Sequence, residues 1–191
     1  MTDDEAKRLA QEIDSRAIRL QPLLSALPPR QRALEIARFL LGTGAIFEPL
    51  CKNDGVPRFL FMDGEWDEVN NRGLAWCAGF VVYCYATALH AIQGNKYMLR
   101  SCAHIADRAK ENDCWRSASI VPDCGDIILL WGRRGSDRPE LALDTNAIRH
   151  CGIVESVDGD QVHSIEGNWG NKLSNVSRAL TDSAIAGYAK F

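Results

Sequence analysis

The order of the hydrophobic patterns predicts an α+β fold, with helices in the first half of the chain and an antiparallel sheet in the second. Apolar residues recur at helical spacing in the first half and form short, strand-length runs after Pro122. The 191 residues, 46% hydrophobic and 25% charged, are enough for one globular domain with its own core. Disordered, collagen-like and disulfide-dense miniature proteins are therefore excluded.

Two helices are predicted within residues 1–45. Thr2 and Glu5 match a capping box, and apolar residues follow them at helical spacing. Leu27-Pro28-Pro29 interrupts this pattern, and the last proline is well placed to begin a second helix that Gly42-Thr43-Gly44 ends. We expect a helical hairpin that packs on the main domain; a docking or secretion adaptor is the alternative.

The middle of the chain holds a run without formal charge over residues 74–92, after a loop-like stretch over residues 45–73. The run is long enough to span a bilayer, but it contains cysteine, tyrosine, histidine and glycine. A helix buried on all sides within the domain explains this composition better. A further helix is predicted over residues 97–110.

The strands are predicted in the second half. Residues 127–131 form a continuous apolar run behind Gly125-Asp126. Residues 153–157 and 161–165 flank Asp158-Gly159-Asp160 as in a β-hairpin. Two more strands are expected over residues 173–180 and 185–191.

Cys77 is the candidate nucleophile. It lies where the polar residues 70–73 lead into the uncharged helix. Free backbone amides at a helix N-terminus favour an anion, so a thiol there loses its proton more readily, and the thiolate is the nucleophile. The alternative is that Cys77 is a small core residue that begins an apolar helix.

His150 is the candidate base for such a cysteine, because the predicted hairpin places polar partners on its face of the sheet. With a three-residue loop over 158–160, His150 faces Asn168 and Gly152 faces Glu166, so His150, Glu166 and Asn168 share one face of the sheet. A two-residue turn would put Glu166 on the other face. The catalytic interpretation therefore predicts an odd-length loop or a bulge. The remaining histidines are expected to be structural: His90, His104 and His163.

Four segments follow one another along the chain: Trp76-Cys77-Ala78-Gly79-Phe80-Val81, Gly125-Asp126-Ile127-Ile128, His150-Cys151-Gly152-Ile153-Val154 and Ile165-Glu166-Gly167-Asn168. In content and order they resemble the CHAP amidases, the cysteine, histidine-dependent amidohydrolases/peptidases. These are papain-like proteins that cut amide bonds in bacterial peptidoglycan. The resemblance covers about residues 71–191, and with the hairpin over 1–45 the whole chain is expected to form a single catalytic domain.

The resemblance implies that Cys77 attacks a peptide carbonyl, that His150 is its base, and that Glu166 orients His150 with Asn168 as a second polar partner. The backbone amide of Cys77 would donate to the oxyanion. Papain-like enzymes often place a glutamine a few residues before the cysteine, where this chain has two asparagines, so the second oxyanion donor is not assigned. The candidate substrate-binding residues are Trp76 and Trp169.

No metal and no cofactor are expected. Cys114 with Cys124, or Cys151 with His163, lacks the short paired spacing of a structural zinc site. The cysteines other than Cys77 are expected to be core or bystander thiols: Cys51, Cys84, Cys102, Cys114, Cys124 and Cys151. An odd total of seven favours reduced thiols made in a cytoplasm.

The expected partner is a peptidoglycan stem peptide. A net charge of −3 gives no basic surface for nucleic acid, and the first ten residues lack the apolar core of a signal peptide. We expect a protein without stable membrane insertion, made in the cytoplasm, that acts in the periplasm or cell wall after delivery or lysis.

Two such settings are an antibacterial effector toxin, for which the producing cell would hold an immunity protein, and a phage lysis enzyme. The alternatives are a papain-like protease or deamidase acting on an intracellular protein, and a non-catalytic binding module on the same fold.

Overall fold

The computed structural model describes residues 1–67, 72–73, 75–89, 101–132 and 147–191. Within these residues the helices lie toward the N-terminus and a six-stranded antiparallel sheet toward the C-terminus, so the α+β prediction is confirmed. The helices are α1 (Asp3–Leu24), α2 (Pro29–Gly42), α3 (Val56–Phe61), α4 (Cys77–Ala88) and α5 (Cys102–Glu111). The strands are β1 (Trp66–Asp67), β2 (Arg72–Gly73), β3 (Trp115–Ser117), β4 (Ile127–Trp131), β5 (Ile148–Asp158), β6 (Gln161–Glu166), β7 (Ser174–Ala179) and β8 (Ile185–Ala189).

The N-terminal hairpin forms as predicted. The Thr2 hydroxyl accepts a hydrogen bond from the Glu5 amide (3.3 Å), and the Glu5 carboxylate accepts one from the Thr2 amide (2.7 Å), which completes the capping box at the start of α1. Pro29 is the first residue of α2. Both helices pack against α4, and α2 also contacts β5. The hairpin thus forms part of the same core as the sheet, and an adaptor role remains a prediction.

The expectation that residues 45–73 are loop is corrected in part. They contain the six-residue helix α3 and the two-residue strands β1 and β2, and the short strand β3 was also not predicted. Elements of two to six residues are too short to show a hydrophobic period, and glycine, proline and aspartate around α3 indicate turns.

Helix α4 lies at the centre of the core. It covers twelve residues of the uncharged run, nearly all of them buried, and packs against α2 and β5. Residues 90–92 of the run lie outside the described residues, as do residues 97–100 of the predicted next helix. No helix among the described residues combines the length and apolar character needed to cross a membrane.

The main sheet has the strand order β3-β8-β4-β5-β6-β7, and every neighbouring pair is antiparallel. Side chains on one face join the helices in the larger core: Ile127, Leu129, Cys151, Ile153 and Ile165. Side chains on the other face form a second buried cluster: Ile128, Leu130, Val154, Val162, Ile185 and Tyr188. This alternation follows from the two-residue period of a strand.

The β5–β6 hairpin has the predicted register near its open end but a different turn. Gly152 lies opposite Glu166, as predicted. Asp158 lies opposite Gln161, however, so the loop has two residues rather than three, and Gly159 adopts φ +58° within it. A bulge between Val154 and Ser156, which lies opposite His163, shifts the pairing by one residue. The prediction of a three-residue loop was therefore wrong, and the alternative prediction of a bulge was correct.

We expect Tyr188→Phe to raise the free energy of unfolding by about 1 kcal/mol, because an unpaired buried hydroxyl is costly. The Tyr188 side chain is fully buried, and its hydroxyl has no hydrogen-bond partner among the described residues. Tyr85→Phe is the matched control: the Tyr85 hydroxyl donates to the Gly125 carbonyl (2.5 Å), so its loss should destabilise by about 1 kcal/mol. Urea unfolding measures both. Equal destabilisation by the two changes would contradict the prediction.

Candidate active site

Cys77 is the first residue of α4, as predicted. Its side chain is 6% exposed, and the residue before it, Trp76, is the N-cap. The first backbone amides of a helix have no partner within the helix, so the start of α4 presents donors and the positive end of the helix dipole near the Cys77 sulfur. This environment stabilises a thiolate.

The prediction that Trp76 binds substrate is corrected. Its side chain is 0% exposed, stacks on Phe61 with ring centroids 5.5 Å apart, and donates through Nε1 to Glu48 Oε1 (2.7 Å). An indole with its nitrogen satisfied and both faces in the core has no surface left for a ligand. Trp76 instead connects the start of α4 to α3 and to the loop that carries Glu48.

His150 and Glu166 meet on one face of the sheet, as the register predicts. His150 Nε2 lies 2.9 Å from Glu166 Oε2. His150 is partly exposed, whereas the Glu166 side chain is fully buried. Gly152 makes this possible, because a Cβ at that position would lie 2.6 Å from Glu166 Cγ. With Nε2 held by the carboxylate, Nδ1 is the ring nitrogen left for Cys77.

Glu166 is held by two residues that were not predicted from the sequence. Arg178, itself buried, contacts both carboxylate oxygens, Oε1 through Nη1 and Oε2 through Nη2 at 3.0 Å. The Ser164 hydroxyl donates to Oε1 (2.7 Å). Alternation along β7 was the available signal: Ser174 lies opposite Glu166, so Arg178, four residues later, shares its face.

The pKa shifts of Cys77 and His150 favour transfer of the thiol proton to the imidazole, which gives a thiolate–imidazolium ion pair. Hydrogen bonds with Cys102 and Cys151, and then with His150, hold the pKa of the Cys77 thiol well below its usual value despite burial. Burial alone would lower the pKa of His150, but hydrogen bonds with Cys77 and Glu166 outweigh it and raise the pKa to about 9.

Glu166 is the anion of this arrangement. Burial would raise its pKa, but hydrogen bonds from His150 and Arg178 prevail and lower the pKa below the usual value. These pKa directions favour a thiolate, an imidazolium and a carboxylate in sequence, with the Arg178 guanidinium balancing the last charge.

Asn168 is not placed as expected. Strand β6 ends at Glu166, and Asn168 follows it with φ +60°, outside the pairing with His150. Its side-chain amide donates to Asn53 Oδ1 (2.9 Å). The expectation that it is a second partner of His150 is therefore corrected, because the turn after β6 directs it toward the loop before α3.

Trp169 borders the site. Its ring centroid lies 5.6 Å from that of His150, and the Arg178 guanidinium lies over its face at 4.8 Å. The side chain is 47% exposed. An exposed indole beside the imidazole is a suitable surface for a ligand, and a role in substrate binding remains a prediction.

Two further thiols, Cys102 and Cys151, contact Cys77; both were expected to be core or bystander thiols, and both are buried in the core. Cys77 Sγ lies 3.6 Å from Cys102 Sγ, and Cys102 Sγ lies 3.5 Å from Cys151 Sγ. The three sulfurs all lie within 4.8 Å of one another and are buried, an arrangement that could hold a metal ion. The three residues are far apart in sequence, so no short sequence motif indicates that they form a group. We call this group the thiol cluster.

The other predicted positions lie away from this site or outside the described residues. His163 Nδ1 pairs with the Ser177 hydroxyl (2.7 Å), and His104 is exposed on α5. His90, Asn70 and Asn71 lie outside the described residues, so the second oxyanion donor stays unassigned.

Arg178→Ala is expected to lower the free energy of unfolding by about 3–5 kcal/mol, because it leaves the buried Glu166 carboxylate without its main counter-charge. Arg38→Ala is the control: Arg38 pairs with Glu35 and Glu155, but it is more than one-third exposed, so its loss should cost about 0–1 kcal/mol. Denaturant unfolding at neutral pH measures both. Similar small losses for the two variants would show that the buried pair does not stabilise the fold.

Comparison with known proteins gives one family. A family model described as CHAP domain matches residues 69–168, just over half of the chain and all of the segment that carries Cys77, His150 and Glu166. Searches of curated proteins and of solved structures found no match.

Proposed function

Because the chain belongs to the CHAP domain family of cysteine, histidine-dependent amidohydrolases/peptidases, we propose that it hydrolyses an amide bond of bacterial peptidoglycan with Cys77 as the nucleophile. The observation that carries this proposal is the chain of contacts from the Cys77 thiol through the His150 imidazole to the buried Glu166 carboxylate. A nucleophile, a base and an orienting group in this order are the requirement for covalent catalysis.

The proposed reaction has two steps. The Cys77 thiolate adds to the carbonyl carbon, and the backbone amide of Cys77 stabilises the oxyanion. His150 then gives its proton to the leaving amine as the C–N bond breaks, which leaves an acyl group on Cys77. In the second step His150 takes a proton from water, and the hydroxide displaces the thiolate to release the carboxylic acid. Glu166 holds the imidazole in position throughout.

The buried ion pair argues for catalysis rather than simple binding. Placing Glu166 and Arg178 in the interior carries a large desolvation cost, and these two charges place the imidazole beside the thiol. A binding module on this fold would have no use for a histidine fixed in this way.

The peptidoglycan stem peptide is the proposed substrate. Membership of the CHAP domain family supports cleavage of a peptidoglycan amide bond. The exposed Trp169 ring beside His150 offers an apolar surface for a peptide or sugar. Purified sacculi incubated with the protein should release soluble fragments, and their masses identify the bond. Stem peptides freed whole from the sugar indicate an amidase, and divided stem peptides indicate an endopeptidase. Sacculi left intact by folded, reduced, metal-free protein would contradict the proposal.

The setting we propose is the periplasm or cell wall, reached by injection as an antibacterial effector or by release during phage lysis. In the effector setting an immunity protein would cover the site. Expression in a bacterium with and without an added export signal tests the location. We expect lysis of the cells that carry the exported form and no lysis of the cells that carry the unexported form. Equal toxicity of the unexported form would favour an intracellular target instead.

A further inference from the structure

The thiol cluster contains two residues, Cys102 and Cys151, that form and break no bond in the proposed reaction. Cys102 from α5 and Cys151 from β5 meet Cys77 from α4, with sulfur–sulfur distances of 3.6 Å for Cys77–Cys102 and 3.5 Å for Cys102–Cys151. All three side chains are nine-tenths or more buried. One cysteine in a core is an ordinary small apolar residue, but three converging thiols need a further explanation.

The spacing of the three sulfurs fits a thiolate metal site. A tetrahedral zinc ion bound at about 2.3 Å per sulfur places neighbouring sulfurs about 3.8 Å apart. The Cys77–Cys102 and Cys102–Cys151 distances are within a few tenths of an ångström of that value, and the third pair lies within 4.8 Å. A shared ion among three thiolates therefore requires only a small adjustment of the side chains.

The backbone beside the cluster offers donors to thiolates, although interactions with the neighbouring thiols together with burial raise the pKa values of Cys102 and Cys151 well above the usual value in the absence of a cation. Cys77 is the first residue of α4 and Cys102 is the first residue of α5, so two helix N-termini direct amide donors and positive partial charge toward the cluster. His150 interacts with Cys77 but is not part of the group of three sulfurs, so the fourth coordination position is left to water or another ligand.

We propose that Cys77, Cys102 and Cys151 form a binding site for a thiophilic divalent cation of the Zn²⁺ type, and that the bound cation silences the hydrolase by occupying its nucleophile. On binding, each sulfur forms a bond to the ion; the thiol protons of Cys102 and Cys151 pass to solvent, and Cys77 binds as the thiolate whose proton is already on His150. The binding itself is independent of the proposed function, whereas the inhibition rests on it. Metal content would then decide when the enzyme is active.

Cobalt binding tests the site without any activity assay. Reduced, metal-free protein is titrated with Co²⁺ in the absence of oxygen, and the thiolate-to-cobalt charge-transfer band is followed. We expect one Co²⁺ per chain, displaced by one Zn²⁺. Cys102→Ala and Cys151→Ala should each weaken binding roughly 100-fold or more, because loss of a ligand costs at least as much as loss of an outer partner. Cys84→Ala, at a buried cysteine outside the cluster, should bind normally.

The possible outcomes separate the two proposals. No charge-transfer band, or equal binding by the Cys102 and Cys84 variants, would overturn the metal site. A disulfide between two of the three cysteines in protein kept under reductant would also overturn it. Hydrolysis of sacculi without cobalt binding would leave only the proposed function, and cobalt binding without hydrolysis by the metal-free protein would leave only the metal site. Inhibition by Zn²⁺ that a chelator reverses supports both.

Discussion

Cys77→Ala is expected to lower the rate of sacculus hydrolysis by about 10⁴-fold or more while the protein remains folded. Alanine removes the sulfur that forms the acyl intermediate and leaves only binding and the oxyanion donor. The change deletes one buried atom at the start of α4, so the fold should tolerate it. The release of soluble fragments from sacculi by reduced, metal-free enzyme measures the effect.

Cys84→Ala is the control for this prediction. Cys84 lies on the same helix and is fully buried, but it is outside the thiol cluster. Its variant should hydrolyse sacculi at nearly the rate of the unaltered protein. Hydrolysis by Cys77→Ala at a rate close to that of the Cys84 variant would show that the nucleophile lies elsewhere.

His150→Ala is expected to lower the same rate by about 10³-fold or more, because the imidazole both pairs with the thiolate and protonates the leaving amine. His163→Ala is the matched control, since His163 lies on the neighbouring strand and contacts Ser177 instead of the site. Near-normal hydrolysis by the His150 variant, or an equal loss in the His163 variant, would mean that the base was assigned wrongly.

The two largest effects should not add. Cys77 and His150 act as one unit, so a variant that lacks both is expected to be no slower than the Cys77 variant alone. If the fold-losses of the two single variants multiply in the double variant, the two side chains act independently. That result would contradict the geometry in which they share a proton.

The placement of Cys77 and of the hairpin could be predicted from local patterns. A polar stretch that leads into a charge-free run marks the start of α4, and strand alternation puts His150 and Glu166 on one face. The turn could not be predicted in the same way. Asp158-Gly159-Asp160 permits loops of two or three residues, and the bulge that restores the register depends on contacts across the sheet.

The partners of Glu166 and of Cys77 depend on contacts between distant parts of the chain. Arg178 reaches Glu166 from the next strand, and Cys102 and Cys151 reach Cys77 from two other elements. Such groups have no fixed spacing in sequence, unlike a zinc motif with two short cysteine pairs. They become visible only when the strands and helices are assembled.

The error at Trp76 has a different cause. An aromatic residue beside a nucleophile suggests a substrate contact, but exposure is a property of the packed structure. Glu48, in a loop with no periodic pattern, accepts the indole hydrogen bond and so allows the ring to be buried. At Trp169 the same kind of inference agrees with an exposed ring next to His150.

Alkylation of Cys77 tests the central claim most directly. Reduced, metal-free protein is treated with iodoacetamide for increasing times. Peptide masses give the alkylated fraction of every cysteine, and the same samples are assayed on sacculi. We predict that Cys77 reacts faster than the exposed Cys51 and Cys124 and that hydrolysis falls in proportion to its alkylation, reaching zero when it is complete. Hydrolysis that persists after Cys77 is fully alkylated would contradict the assignment of Cys77 as the nucleophile.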